Sequence, residues 1–156
     1  MVADLDNVYA GVKVLLEDVS HAIASRGFPL WLTGEPNLLK ALQAIRTEFR
    51  SKIAASTLGC EGAIAWDGES FHYCPAFKVE TVDTTGAGDI FHGAFVYGMI
   101  AGMGLPEQLE FSCAAAALNC TGFGARGRIG SLAEIRELMK KGARHNSAYP
   151  AKTFKG

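Results

Sequence analysis

The chain has 156 residues, of which 49% are hydrophobic and 20% are charged, and its formal net charge is −1. This length and composition suit one folded domain with a hydrophobic core and exclude an intrinsically disordered chain. The near-zero charge argues against sequence-independent binding of nucleic acid, because such binding needs many Lys and Arg side chains. No apolar run reaches the length of a membrane span, and acidic residues stand where a signal peptide would be basic. We therefore expect a soluble cytoplasmic protein with neither nucleic-acid nor membrane partners.

The first half of the chain alternates helical and extended patterns, which favours an α/β layered domain. Apolar spacing predicts a helix over residues 12–19 and a second helix with Pro36 in its first turn. Strands are predicted over residues 53–58, 63–66 and 69–73. The pair Asp67-Gly68 stands between the last two strands and predicts a hairpin turn in which both residues have positive φ.

The second half predicts a further strand over residues 79–82, followed by a glycine-rich turn and a long helix over 86–101. Another helix is expected over residues 107–119. The sequence SLAE at residues 131–134 is a capping box that opens a last helix, and Gly142 closes it. We expect a single domain over residues 1–142 and a loose tail over 143–156, where the periodicity is lost.

The four cysteines stand at positions 60, 74, 113 and 120 and include no CxxC pair. They also have no partnering histidine cluster, so the spacing typical of metal-ligand or redox cysteines is absent. We expect reduced thiols that pack as small apolar side chains, in agreement with a cytosolic protein.

Residues 83–95, with the sequence DTTGAGDIFHGAF, carry the clearest chemical signal. A strand ends, glycines permit a tight turn, and a helix begins with unpaired amide groups that attract an anion such as phosphate. Asp89 falls in the first helical turn, beside that anion, where its carboxylate can accept a proton from an attacking hydroxyl group. The plainer alternative is that Asp89 only complements the helix dipole and that the glycines only form a turn.

Two other phosphate-binding motifs do not fit these residues. The chain contains no GxxxxGK[ST] sequence, which excludes a P-loop. A Rossmann fingerprint fails as well, because the third glycine is missing and Asp89 would repel a pyrophosphate.

The full run resembles the C-terminal signature of the PfkB, or ribokinase-like, carbohydrate kinases, which reads roughly D-T-x-G-A-G-D-x-F. Residues 57–63, TLGCEGA, are similar to the T-x-G-x-x-G segment of that family, and residues 111–125 to its Ala-rich helix and Gly-Ala loop. The resemblance extends from about residue 2 to residue 138. It implies a three-layer αβα ribokinase-like domain that lacks the N-terminal part of the family fold and its β lid.

The resemblance also implies a reaction, in which ATP donates its γ-phosphate to a sugar hydroxyl with Mg²⁺ bound to the nucleotide. Asp89 is then the catalytic base, and the amides of Gly86, Ala87 and Gly88 form the anion hole. The implied nucleotide contacts are Thr57, Gly59, Gly62 and Cys113. Many members of the family hold a monovalent cation such as K⁺, and the matching positions are Asp83, Thr85, Asn119, Gly122 and Gly124.

One family motif is absent: N-x-x-E, whose Glu organises metal and phosphates, corresponds here to residues 24–28, ASRGF, which lack a carboxylate. The missing N-terminal half would supply sugar contacts and the lid, so the sequence does not name the acceptor. Two alternatives to a sugar kinase stay open: a non-catalytic nucleotide-binding fragment without a substrate site, and a nucleoside kinase of the same fold. A truncated sheet with an exposed edge further suggests a homodimer.

Overall fold

The computed structural model describes residues 1–149 and 152–155. Contacts within the chain divide it into two compact units, and the single domain predicted over residues 1–142 stays a prediction. The first unit comprises residues 1–58, 63–73 and the described part of 151–156, and the second comprises residues 59–62 and 74–149. Each unit buries its own set of apolar side chains, such as Ile23 and Leu42 in the first and Phe95 and Phe111 in the second.

In the described residues six strands form one sheet in chain order, which confirms the α/β prediction. The strands are β1 (Val2–Leu5), β2 (His21–Ser25), β3 (Ile53–Thr57), β4 (Ala63–Trp66), β5 (Phe71–Cys74) and β6 (Thr153–Phe154). The first three strands are parallel, β4 is antiparallel to β3, and β6 is antiparallel to β5. Strands β2, β3 and β4 are buried over most of their length, as expected for the centre of a sheet covered by helices.

The first unit contains α1 (Val12–Glu17), α2 (Gly27–Thr33) and α3 (Leu38–Phe49). Helix α3 begins after Asn37, whose Oδ1 accepts hydrogen bonds from Leu39 N and Lys40 N at 3.0 and 3.2 Å. Pro36 therefore precedes the cap rather than lying in the first turn, because the amide side chain of Asn37 satisfies two otherwise unpaired donors. The sequence reading missed α2, which Pro29 permits because it stands in the first turn, where a proline costs no intrahelical hydrogen bond.

The turn between β4 and β5 lies where the sequence predicts it but has a different geometry. Gly68 has φ of +104°, whereas Asp67 does not have positive φ. Asp67 Oδ1 instead accepts hydrogen bonds from Glu69 N and Ser70 N at 2.7 and 2.8 Å. The side chain of Asp67 thus closes a four-residue turn over residues 67–70, so the two-residue hairpin was wrong in detail.

The second unit contains α4 (Ala87–Ile100), α5 (Leu105–Asn119) and α6 (Leu132–Lys141). Helices α4 and α5 pack closely, because Gly98 leaves room for Gln108 and the buried Gln108 Nε2 donates to Phe95 O at 2.8 Å. Their aromatic side chains also stack, with the Tyr97 and Phe111 rings 5.4 Å apart. At α6 the predicted capping box is confirmed.

Two predicted segments differ from the structure. Residues 79–82 are β-prone but form no strand, because Val82 N donates to Cys120 O at the end of α5 instead of to a neighbouring strand. Strand β6 lies within the predicted loose tail. Arg144, in the same tail, forms an isolated antiparallel β-bridge with Phe77. Residues 150, 151 and 156 of that tail lie outside the described residues.

Among the helices that the structure describes, none combines the length and the apolar character that crossing a bilayer requires.

Candidate active site

The glycine-rich turn that precedes α4 is held by its own first residue. Asp83 Oδ1 accepts a hydrogen bond from Thr85 N at 2.9 Å, and Ala87 N donates to Thr84 O at 3.2 Å. Gly86 caps α4 with φ of +80°, a left-handed conformation that glycine adopts without steric cost. The sequence signature DTTGAG therefore folds as one compact turn over residues 83–87.

A second segment, residues 120–130, closes against this turn; we call it the closing loop. Gly124 N donates to Asp83 Oδ2 at 2.8 Å, so the Asp83 carboxylate joins the turn to the closing loop. These amide hydrogen bonds, first that of Thr85 and then that of Gly124, lower the pKa of Asp83. A Cβ atom at Gly86 would lie 2.7 Å from Ala125 Cα, so the loop approaches too closely for any other residue at position 86.

The closing loop is anchored from α5 and α6 as well. Asn119, completely buried at the end of α5, donates through Nδ2 to Ala125 O and Arg128 O, both at 3.1 Å. Arg128 donates to Thr121 Oγ1 and to Glu134 Oε1, each at 2.9 Å. The sequence did not predict the partners of Arg128, although the capping box indicates that the Glu134 side chain folds back toward the residues before α6.

The N-terminus of α4 leaves amide groups available for an anion. The first helical hydrogen bond runs from Ile90 N to Gly86 O at 2.9 Å, so the amides of Gly88 and Asp89 precede it. This differs in part from the predicted anion hole, because Ala87 N already donates to Thr84 O. Gly88 and the side chain of Asp89 are both exposed, and no described atom lies within 4 Å of a Cβ placed on Gly88.

Three of the four predicted nucleotide contacts lie together in the second unit. A Cβ atom at Gly62, where φ is +104°, would overlap Cys74 O and lie 2.7 Å from Ala76 N. Cys113 Sγ approaches the same carbonyl oxygen at 3.9 Å, and Gly62 N bonds to Gly59 O at 3.0 Å. The fourth, Thr57, belongs to the first unit, where its Oγ1 donates to Ala24 O at 3.4 Å.

Helix α5 is shared by both groups of predicted residues within the second unit. Cys113 stands in its middle and Asn119 at its end, about 9 Å apart along the helix axis at 1.5 Å per residue. That separation is comparable to the length of a triphosphate. Within the second unit, helix α5 thus separates the turn over residues 83–87 from the Gly59–Gly62 segment by a fixed distance.

The residues predicted to hold a monovalent cation offer oxygen ligands. Asn119 Oδ1 is buried and has no hydrogen-bond partner in the described chain, which is rare for a buried amide oxygen. Asp83 lies in the turn, and Gly122 and Gly124 lie in the closing loop that contacts it. Gly122 N donates to Asn119 O. Hard oxygen donors of this kind fit an alkali cation, whereas no group of three or more His, Cys, Asp or Glu in residues 1–149 and 152–155 forms a transition-metal site.

Known carbohydrate kinases are similar to this chain in sequence and in fold. The family described as pfkB family carbohydrate kinase matches residues 9–129. A ribokinase from Lactococcus lactis is 38% identical over 106 residues, which are 68% of this chain and 34% of that protein. A candidate ribokinase II from E. coli, solved with ATP and Mg²⁺, superposes with a TM-score of 0.81 at 25% identity and covers 89% of this chain and 48% of that one.

Arabidopsis thaliana ribokinase, solved with ribose and ATP, superposes with a TM-score of 0.78 at 27% identity, over 90% of this chain and 48% of that one. The chain thus spans between one third and one half of these relatives. The family match covers the turn, helices α4 and α5 and nearly all of the closing loop. This chain belongs to the pfkB family of carbohydrate kinases.

Proposed function

We propose that this chain carries the phosphoryl-transfer site of an ATP-dependent carbohydrate kinase, with Asp89 as the catalytic base. The observation that supports this most directly is the position of Asp89. It is an exposed carboxylate in the first turn of α4, next to helix amides that have not yet entered the hydrogen-bond ladder. Packing does not require a glycine at position 88, because a larger residue would fit there, so the bare backbone amide beside Asp89 supports a role in binding an anion.

Each part of this turn has a role in the proposed reaction. Asp89 accepts the proton of the attacking sugar hydroxyl, which is worth about 10²–10⁴-fold in rate for a positioned base. The amides at the start of α4, those of Gly86 and Gly88 among them, stabilise the negative charge of the transferring phosphoryl group. Mg²⁺ bound with ATP would neutralise charge on the phosphate oxygens. Asp83 holds the turn and the closing loop together, so the amides are directed before substrate arrives.

The nucleotide is proposed to lie along α5, with Gly59, Gly62 and Cys113 near its base end. Support comes from the two glycines, at which side chains are excluded or strained, since positive φ occurs at both. The proposed acceptor is a sugar or a sugar-like hydroxyl compound. Its class follows from the relatives, among which ribose is bound to the Arabidopsis ribokinase.

The first experiment is calorimetric titration of the chain with Mg·ATP, followed by measurement of ADP formation with a panel of sugars and nucleosides. We expect saturable ATP binding and sugar-dependent turnover, which Asp89→Asn lowers by at least about 100-fold. Asp18→Asn is the matched control, because Asp18 is an exposed carboxylate at the end of α1 in the first unit. Equal activity of the Asp89→Asn variant and the wild type would exclude Asp89 as the base. A nucleoside as the preferred acceptor would favour a nucleoside kinase.

The alternative is a nucleotide-binding segment that does not turn over by itself. The coverage of the relatives favours it, because this chain corresponds to less than half of each solved structure. In that case ATP still binds, but no acceptor in the panel produces ADP above the rate of the Asp89→Asn variant. Binding and turnover therefore separate the two functions.

We further propose that a monovalent cation such as K⁺ binds between the turn and the closing loop. Asp83, Thr85, Asn119, Gly122 and Gly124 would hold it, and the buried Asn119 Oδ1 supports this assignment. Such a cation would stabilise the conformation of the turn over residues 83–87. ATP affinity should then be higher in KCl than in LiCl of equal ionic strength, and Asn119→Ala should abolish the difference. The same affinity in both salts would contradict the proposal.

A homodimer in the cytoplasm stays a prediction. It is motivated by β1, which pairs only with β2 and so forms one edge of the sheet within the described residues. An observation against the dimer is that Asp4 on this strand is exposed, because a charged side chain at an edge opposes strand pairing. Sedimentation velocity of the purified chain tests the prediction, and a single monomeric species would refute it.

A further inference from the structure

A group of side chains in the second unit takes no part in the proposed phosphoryl transfer, although one member, Cys113, is also a proposed nucleotide contact. Its members are Cys74, Cys113, Arg144, Glu110 and Phe77, and we call it the thiol cluster. Arg144 lies at its centre: Nη2 pairs with Glu110 Oε1, and the guanidinium stacks on the Phe77 ring 3.3 Å from the centroid. The same guanidinium donates from Nη1 to Cys74 Sγ at 3.1 Å. A cation fixed in this way favours the thiolate form of the cysteine that it contacts.

The two thiols of the cluster are neighbours. Cys113 Sγ donates to Cys74 O at 3.9 Å. The neighbouring Cys113 side chain is the main cause that lowers the pKa of Cys74, and the positive charge of Arg144 also lowers it, whereas burial and the Glu110 carboxylate oppose them. The neighbouring Cys74 side chain, together with burial, raises the pKa of Cys113 well above its ordinary value. The surroundings therefore favour the thiolate form at Cys74 and the neutral thiol at Cys113.

We propose that Cys74 and Cys113 are an oxidisable dithiol, a modification site that hydrogen peroxide converts to an internal disulfide. The Cys74 thiolate attacks one peroxide oxygen, the O–O bond breaks, and hydroxide leaves and takes up a proton as water. This gives a sulfenic acid at Cys74. Cys113 sulfur then attacks the Cys74 sulfur, an S–S bond forms, and the hydroxyl group leaves with the Cys113 proton as a second water. Two thiols and one peroxide therefore give one disulfide and two waters.

Burial determines the class of oxidant. Cys74 is 5% exposed and Cys113 is 7% exposed, which excludes a bulky disulfide such as oxidised glutathione, so the proposed oxidant is a small neutral peroxide. Cys60 is exposed and Cys120 is half-buried at the end of α5. Burial and the nearby Asp83 raise the pKa of Cys120, so it is a poorer nucleophile than Cys74. The dithiol is therefore chemically distinguished from both remaining cysteines.

The position of the dithiol links it to the nucleotide. Cys74 O is the atom that Gly62 approaches and that Cys113 Sγ faces, so a disulfide would change the surroundings of both residues. This consequence rests on the proposed function, in which Gly62 and Cys113 contact ATP. Oxidation is then expected to weaken ATP binding, and reduction to restore it.

The test uses the chain with Cys60→Ser and Cys120→Ser, so that only the two cluster thiols remain. After treatment with hydrogen peroxide, intact mass spectrometry should show the loss of two hydrogen atoms. Peptide mapping should then join the peptides of Cys74 and Cys113, and dithiothreitol should reverse the change. An unchanged mass, a gain of oxygen without cross-linking, or equally fast cross-linking in urea would each overturn the proposal.

Arg144 provides the test of mechanism. Arg144→Gln should slow disulfide formation at least about threefold, because the Cys74 thiolate loses its cation. Arg144→Lys should restore part of the rate, since it keeps the charge. Arg136→Gln is the matched control, since Arg136 pairs with Glu107, outside the cluster, at 3.7 Å. Circular dichroism verifies that each variant is folded, and equal rates in all of them would refute the role of Arg144.

The link to ATP is measured separately by calorimetry on the reduced and oxidised protein. A disulfide that forms in a chain whose reduced form binds no ATP would refute the proposed function and leave the dithiol intact. ATP binding by a chain that forms no disulfide would refute the dithiol and leave the proposed function intact.

Discussion

Gly86 is the position at which the structure makes the sharpest prediction about stability. Two separate costs arise when it is replaced by alanine. Its φ of +80° is a left-handed conformation, which costs an L-residue about 1–2 kcal/mol. In addition, the new Cβ would lie 2.7 Å from both Ala125 Cα and Ala125 O, and relief of such an overlap costs about 1–3 kcal/mol. We expect Gly86→Ala to lower the free energy of unfolding by about 2–5 kcal/mol in total.

Gly102→Ala is a matched control that carries only the first cost. Gly102 has φ of +73°, but no atom lies within 4 Å of a Cβ placed on it. Its substitution should therefore cost about 1–2 kcal/mol. The difference between the two variants isolates the contact of the turn with the closing loop.

The assay is urea unfolding followed by far-ultraviolet circular dichroism, with linear extrapolation of the free energy to water. Circular dichroism is preferred to fluorescence because Trp31 and Trp66 both lie in the first unit, whereas the mutated turn lies in the second. If Gly86→Ala and Gly102→Ala lower the free energy of unfolding equally, the closing loop does not constrain the turn. The close approach at Ala125 would then have no energetic consequence.

Gly88→Ala should leave stability unchanged or raise it by up to about 1 kcal/mol, because alanine is the better helix residue and space is available. The same change should weaken Mg·ATP binding in calorimetry, and undiminished affinity would contradict an anion site at this amide. Asp67 should make stability depend on pH. Burial raises its pKa, but hydrogen bonds from His72 and from turn amides prevail and lower it from 3.8 to about 2. Its contribution to stability is therefore present above pH 3.8 and is lost as pH falls through about 2. The difference in unfolding free energy between wild type and Asp67→Asn should accordingly shrink from pH 5 to pH 2, and a constant difference would refute this. Ser131→Ala should cost about 1 kcal/mol in urea unfolding, because it removes the cap that Glu134 completes, and a change below a few tenths would show the capping box to be unimportant.

Local chemistry alone was sufficient for several elements. The capping box at Ser131 was readable because both of its partners lie within one helical turn. The same is true of the helix that starts beside Gly86, since glycine, helix amides and Asp89 are consecutive in sequence. In these cases the interacting groups are separated by only a few residues, so no knowledge of the fold is required to pair them.

Other features depended on groups that are distant in the chain. Residues 79–82 have strand propensity, yet Val82 N bonds to Cys120 O because the end of α5 offers a free carbonyl there. Arg144 reaches Cys74, which stands 70 residues earlier, and so places a guanidinium against the sulfur of a cysteine without sequence signal. The close fit of Ala125 against Gly86 arises in the same way. The sequence by itself determined the family signature and the local turns. Tertiary packing decided which carbonyls, thiols and charges meet, because those pairings depend on the path of the whole chain.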